Sequence, residues 1–485
     1  MNTITQAKPS GAVDYETFLD RKRHVGSVSG FEPLFMPEFL FPFQRALVEW
    51  AVRKGRAAIF ADCGLGKTPM QLVWAQNVVE KTCKPVLILT PLAVGPQTVR
   101  EAAKFKIEAA QSRDGKVAAP ITVTNYEQLH KFEPSDFSGV VCDESSILKH
   151  FSGATQKQVT RFATKLPYRL LCTATAAPND YIELGTSSEA LGELNYSEML
   201  TRFFRQLDDK GQKQELRKQA ANEKAAKHFM RLAYRISQTI GQWRLKNHAH
   251  VHFWQWVCSW AMACRRPSDL GFNDSGYELP PLMERDHVIS PKTPPEGYLL
   301  TLPAIGLREE RDERRRTMGE RCDLVRQLVN HGRPAVVWCH MNAEGDRLAK
   351  EISGARQVSG STPDEEKIEI YDSFATGQLR VLIIKPKIGA WGLNWQHCAD
   401  VVTFASHSYE QFYQSVRRCW RFGQKNPVNL DVVFTEGEVG VRANMRRKSA
   451  QADKMFSELV AHMGSFRKVE RNNTHNTKME LPTWL

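Results

Sequence analysis

The chain has 485 residues, 42% of them apolar, more than one hydrophobic core absorbs and enough for two or three ordinary domains. No apolar run reaches the roughly 18 residues that a bilayer span needs, and the start MNTITQAKPSG lacks the charged-then-apolar layout of a secretory leader. A membrane partner is therefore not expected, and the protein is expected to stay in the compartment where it is made. The formal net charge of +12 is concentrated, because residues 201–266 hold 14 Lys or Arg against 4 Asp or Glu. Clustered cations gain affinity for a polyanion by releasing its condensed counterions, although a solvated helical face would have the same composition. The ten cysteines form no CxxC pair and no zinc-type spacing, and read as reduced, mostly buried thiols of a cytoplasmic protein.

Along the chain, residues 1–35 carry no sustained periodicity and form an irregular arm. A first lobe is expected over 36–195. Its strand candidates are Ala57 to Ala61, Pro85 to Thr90, Ile121 to Thr124, Gly139 to Cys142 and Tyr168 to Thr173, each short, largely apolar and followed by polar or Gly/Pro punctuation. Such runs suit the interior of a parallel sheet, and the helix-length segments Pro69 to Lys81 and Pro96 to Ala110 between them complete repeated βα units. Residues 196–295 read as a basic and aromatic insertion. In it, His248, His250 and His252 alternate as on one side of a strand, and the tryptophans between Trp243 and Trp260 are expected to fill a small core rather than stack on bases. A second lobe follows over 296–440, with strands at Ala335 to Cys339, Val381 to Ile384, Asp400 to Phe404 and Asn429 to Phe434. The mixed-charge run 308–316 reads as a solvent-facing helix, and 441–485 as a helix ending in a polar tail.

Chemistry enters at Ala61-Asp62-Cys63-Gly64-Leu65-Gly66-Lys67-Thr68, between an apolar strand and a helix. In a P-loop, consecutive backbone N–H groups at a helix start surround phosphates, a lysine reaches the terminal phosphates and a threonine hydroxyl ligates magnesium. The strict pattern asks for glycine where this chain has Ala61. A second apolar strand ends in Asp143 and Glu144, the first suited to holding magnesium and the second to orienting or deprotonating an attacking water.

These segments, taken in order, resemble the superfamily-two helicases, and within them the Swi/Snf-type double-stranded DNA translocases, especially the compact phage and prophage versions. The resemblance covers roughly residues 36–440. Gln44 within Phe41-Pro-Phe-Gln matches the adenine-reading glutamine, Ala61 to Thr68 motif I, Leu89-Thr-Pro-Leu92 motif Ia, and Thr124-Asn-Tyr-Glu127 motif Ib. Asp143-Glu-Ser-Ser146 matches motif II, Thr173-Ala-Thr175 motif III, Val336-Val-Trp-Cys-His340 motif IV, Gly389-Ala-Trp-Gly-Leu-Asn394 motif V and Gln414 to Gln424 motif VI. The resemblance implies an α/β fold of two RecA-like parallel-sheet lobes with a mainly helical basic insertion between them. It also implies ATP and Mg2+ as cofactors, Gly392 at the nucleotide, and Arg418 and Arg421 as finger arginines whose spacing of three places them on one helix face beside Gln414.

Duplex DNA would be followed without sequence preference through Thr90, Pro91, Asn125, Tyr126, His340 and Asn394, mainly by phosphate contacts. Motif II departs from the pattern in ending Ser145-Ser146, so its usual coupling contact to the finger helix must be remade by Ser146 or lost. The short Asp62-Cys63 and the bulky Trp395 depart as well. The reading is an ATP-hydrolysing translocase acting on double-stranded DNA in a bacterial cytoplasm, with a separate nuclease or a replication or repair protein as a possible partner. Two alternatives stay open: a strand-separating helicase on DNA or RNA, and an ATP-binding nucleic-acid scaffold without turnover.

Overall fold

The computed structural model describes residues 28–92, 94–206, 243–292, 307–389 and 393–466. Residues 207–242, most of the basic segment, lie outside the described residues, as do Gly392 and the ends 1–27 and 467–485. Two parallel α/β sheets organise the rest, as in RecA-like lobes. The first contains β1 (Arg56–Ala61), β2 (Val86–Thr90), β3 (Ala109–Gln111), β4 (Ile121–Asn125), β5 (Gly139–Asp143), β6 (Tyr168–Cys172) and β9 (Ala261–Cys264), in the order β3-β4-β2-β5-β6-β1-β9. A minor antiparallel pair, β7 (Phe204–Gln206) and β8 (Trp243–Leu245), flanks the gap at 207–242. The second sheet contains β10 (Leu282–Ile289), β11 (Ala335–Trp338), β12 (Ala355–Val358), β13 (Val381–Ile384), β14 (Asp400–Phe404) and β15 (Val428–Thr435), in the order β10-β15-β14-β11-β13-β12.

Most strands recognised from sequence are largely buried on both faces. β2, β4, β5, β11, β13 and β14 are buried along their whole length, which is why all but β4, with its Ile-Thr-Val-Thr-Asn alternation, are largely apolar in sequence. Parallel pairing brings the carboxyl ends of β1, β5 and β6 side by side, with Ile59 opposite Cys172 and Asp143 opposite Cys172. The P-loop, the two carboxylates and Thr173 consequently share one sheet edge, where ligands bind in open α/β sheets.

Several expectations are corrected. The described part of 196–295 is not an independent insertion: β9 pairs with β1 from Ala58↔Ala261 to Ala61↔Cys264, and β10 joins the second sheet beside β15. The histidines at 248–252 do not lie on a strand. Residues His250–Cys258 form a helix, because Phe253, Trp254, Trp256 and Val257 are all needed in the core of lobe 1. The tryptophans do fill core, as Trp254, Trp256 and Trp260 are fully buried there. The helix expected over Pro96 to Ala110 spans Gly95–Lys104. Lys106, in the left-handed region at φ 57°, ends it, and β3 follows. The mixed-charge helix Leu307–Arg316 does not simply face solvent: Glu310 and Glu313 are buried, Glu313 accepting from Thr435 Oγ1 at 2.7 Å, and Arg314 reaches Glu438 at 2.7 Å.

The helix Val439–His462 is about 36 Å long at 1.5 Å per residue and connects the lobes. Near its start Arg442 pairs with Asp286 of β10 at 2.8 Å, and near its end Met455, Phe456, Leu459 and Met463 enter the core of lobe 1. No helix among the described residues is long and apolar enough to cross a membrane.

Candidate nucleotide site between the lobes

The loop after β1 turns at Gly64 and Gly66, whose φ angles of 89° and 77° would strain any residue with a side chain. A Cβ on Gly66 would also lie 2.3 Å from Gln44 Nε2. Gln44, at the start of the helix Pro42–Lys54, donates from Nε2 to Leu65 O at 2.9 Å and accepts at Oε1 from Phe41 N at 3.1 Å. Its amide is thus held against the loop. The helix Lys67–Thr82 begins immediately after, with Thr68 partly buried in its first turn. Lys67 Nζ donates to the carbonyl of Ala61 at 3.1 Å and to that of Asp62 at 3.4 Å. Burial alone would lower the Lys67 pKa, but the negative charges around it, Glu144 foremost, raise it above the ordinary lysine value.

Asp143, at the end of β5, accepts at Oδ1 from Gln71 Nε2 at 2.6 Å, and its backbone carbonyl accepts from the Tyr126 hydroxyl at 2.6 Å. Glu144 follows in the left-handed region at φ 53°, ψ 52°. A glutamate held there carries strain of order 1–3 kcal/mol, the kind of conformation that clusters at functional sites. Its Oε2 accepts from Thr173 Oγ1 at 3.3 Å. Burial raises the pKa of both carboxyls, against the pull of Gln71 and Lys67 on Asp143 and of Lys67 on Glu144. The outcome is Lys67, with Arg418 acting on Glu144 as well, beside two carboxyls with raised proton affinity, a setting that suits a general base.

The opposite wall is the segment from Tyr409 to Gln424. Its helix spans Tyr409–Val416, so Arg418 and Arg421 occupy the turn after it rather than one helix face. Arg418 binds Gln414 Oε1 at 2.8 Å and Leu393 O at 2.9 Å, and Arg421 binds Leu393 O at 3.2 Å. Burial, with Arg418 close by, lowers the Arg421 guanidinium to about 10. The two lobes touch through this segment. Arg417 donates to Asp62 Oδ2 at 2.6 Å and to Cys63 O at 2.9 Å, and Tyr413 donates to Asp62. Gln414 Nε2 lies 3.5 Å from Glu144 Oε2, and Lys149 pairs with Glu410. A Cβ on Gly64 would meet Phe422 N at 3.1 Å and Arg421 Cβ at 3.6 Å.

Sequence reasoning missed Gln71, Tyr413 and Arg417. Gln71 stands four residues after Lys67 and so faces the same side of the helix, a signal that was available. Arg417 stands beside Arg418, and only the turn at the helix end shows that it points at the other lobe. The residues proposed for nucleic acid do not come together in one way. Thr90 bonds Thr124 O, Asn125 caps the turn Tyr126–Lys131, and Tyr126 is spent on Asp143 O. These three buried side chains make internal hydrogen bonds that would have to be exchanged for any contact with a nucleic-acid backbone. Pro91 is partly buried and Asn394 exposed at the cleft rim. His340 is partly buried, and burial, with Arg314 nearby, lowers it to about 4, so it is neutral near pH 7 and offers a phosphate no charge.

The site fits a nucleotide triphosphate. Lys67 can leave two backbone carbonyls without stranding a side chain, and the hydroxyls of Ser145, Ser146 and Thr175 are buried beside the carboxyls with no partner. Residues 320–423 match the helicase conserved C-terminal domain, a span that includes the segments read as motifs IV and V and all but the last residue of the one read as motif VI. Comparison with curated proteins finds no match. Among solved structures, the chain is similar to the Mycobacterium smegmatis helicase Lhr bound to single-stranded DNA and AMP-PNP, with a TM-score of 0.47 and 14% identity over 84% of this chain. The alignment covers 48% of that protein, so this chain spans about half its length.

Proposed function

We propose that this protein is a magnesium-requiring, nucleic-acid-stimulated ATPase that translocates along DNA, preferring the duplex. The observation that carries this reading is the closeness of the finger segment to the phosphate loop: Gly64 is backed by Arg421 and Phe422 of the other lobe. Lys67, Thr68 and Asp143 would hold the triphosphate and its magnesium, which supplies charge neutralisation at the phosphate oxygens. Gln44 would read the edge of the base by exchanging its bonds to Leu65 O and Phe41 N for it. Glu144 takes the proton of the attacking water, helped by its raised proton affinity and oriented by Thr173 and Gln414. Arg418 and Arg421 exchange the Leu393 carbonyl for negative charge developing on the phosphoryl group, which requires the cleft to be closed. Alternation between closed and open lobes would then advance the protein.

The helicase-type match of lobe 2 and the basic charge of residues 201–266 support nucleic acid as the track. The preference for duplex rests on the resemblance of the motifs to the Swi/Snf type. Magnesium-dependent ATPase rates with no polymer, duplex DNA, single-stranded DNA and RNA, at matched nucleotide concentration, test the reading. Stimulation mainly by duplex is expected. Stimulation by single strands or RNA alone would replace it with a strand-separating helicase, and absence of phosphate release with a scaffold.

A further inference from the structure

Asp62 stands at the first turn of the phosphate loop, with its side chain 9% exposed, against 3% for that of Arg417. Its carboxylate accepts from three donors: Cys63 N at 2.6 Å, the Tyr413 hydroxyl and Arg417 at 2.6 Å. Arg417 also holds the Cys63 carbonyl, and its guanidinium lies over Trp420 at 4.9 Å. Lobe 2 thus grips both a side chain and the backbone of the turn from which Lys67 hangs, because Lys67 donates to the Ala61 and Asp62 carbonyls on that same turn. Ser146, which ends the carboxylate segment, makes no hydrogen bond through its hydroxyl and so carries no polar link to lobe 2. A buried ion pair across a cleft is favourable only when both partners are in place. Parting the lobes must return both charges to water, and removing one partner strands the other. Such a contact has two discrete states, made and broken, which is what a coupling element needs.

We propose that Asp62 and Arg417, assisted by Tyr413, are the positioning pair through which the lobe carrying the finger arginines reports its position to the phosphate loop. The carboxylate segment meets lobe 2 only at Gln414 Nε2, 3.5 Å from Glu144 Oε2, among the described side-chain hydrogen bonds. This inference rests on the nucleotide-motor reading, and Arg417 acts through the loop without touching the reacting atoms.

The test uses the full chain with Arg417→Gln, Asp62→Asn, the double variant and Tyr413→Phe. Two readouts are taken: distance between dyes on the two lobes, with and without a non-hydrolysable ATP analogue, and ATP turnover with and without duplex DNA. Arg417→Gln is expected to widen the lobe separation and lower the DNA-stimulated kcat about tenfold or more, with KM for ATP changing less than about threefold. Tyr413→Phe, which removes one hydroxyl and endangers folding least, is expected to move both in the same direction by a smaller factor. The double variant should lose less than the product of the two single losses, since neither charge is left alone. Unchanged lobe separation in Arg417→Gln, or losses that simply multiply in the double variant, would overturn the proposal. Should the wild-type chain show no turnover with any polymer, the motor reading fails, while the lobe-separation readout still decides whether this pair holds the lobes.

Discussion

In lobe 1 the carboxyl ends of the strands present two buried carboxyls and one lysine, each held by hydrogen bonds within that lobe, whereas in lobe 2 the arginines at the matching edge mostly bind their own lobe. Arg418 and Arg421 share the Leu393 carbonyl, and only Arg417 forms an ion pair with the loop across the cleft. On the proposed function, the comparison assigns binding and turnover to different lobes: lobe 1 would release the hydrogen bonds of Lys67 and Gln44 to take a nucleotide, and lobe 2 those of Arg418 and Arg421 to act on it.

The strongest way to break this division is Lys67→Ala. It removes the cation nearest Asp143 and Glu144, so nucleotide affinity and turnover are both expected to fall, the latter roughly a thousandfold or more. Binding of a fluorescent ATP analogue together with phosphate release checks it. Normal analogue binding would show that lobe 1 does not hold the triphosphate as assigned. Arg421→Ala should instead separate the two functions, with turnover lost about 10³-fold and analogue binding within a few-fold of wild type. Turnover near wild type would sink the two-lobe mechanism. Glu144→Gln is expected to cost about 10²-fold in turnover, because the amide keeps the shape but cannot accept the proton. Quenched reactions should then find ATP, not ADP, retained on this variant, and retained ADP would move the general base elsewhere.

How much of this was legible in the sequence follows from what each element buries. Strands such as β5 and β13, covered on both faces, are written as apolar runs, and the glycines at 64 and 66 mark backbone that only glycine adopts easily. β10 is different: it sits at the sheet edge with most of its residues exposed, so Leu-Met-Glu-Arg-Asp-His-Val-Ile carries no apolar run to find. β9 is apolar, but it lies 200 residues after β1 in sequence, and nothing local says that Ala261–Cys264 completes the first sheet. In the site, the parts assigned to phosphate were legible because that chemistry requires fixed residue types at fixed spacing. The parts that join the lobes were not, since Asp62, Tyr413 and Arg417 are matched to each other only in space.

The smallest expected effect sharpens the comparison from the side of stability. In lobe 2, His340 titrates at about 4 against an ordinary value of 6.5, because burial and Arg314 disfavour its charged form. Above about pH 6.5 it is neutral folded or unfolded, and stability is fully present. As pH falls towards 4 the unfolded chain binds a proton that the folded chain refuses, and stability declines by at most about 3 kcal/mol. In lobe 1, buried Glu183 is raised by desolvation to about 7, against hydrogen bonds from Asn179 N at 3.0 Å and Asn179 Nδ2 at 2.8 Å. Its sign is opposite: the stability it contributes is present below about 4.5 and is lost as pH rises through 7. Between pH 5 and 7 the two lobes are therefore expected to drift in contrary directions. Urea unfolding at pH 5, 6 and 7, followed by Trp338 and Trp395 for lobe 2 and by the tryptophans near β9 for lobe 1, measures the two slopes. His340→Gln should flatten only the first and Glu183→Gln only the second. If both variants keep both slopes, proton uptake at other groups sets the acid response, and the contrast between the lobes is confined to their nucleotide chemistry.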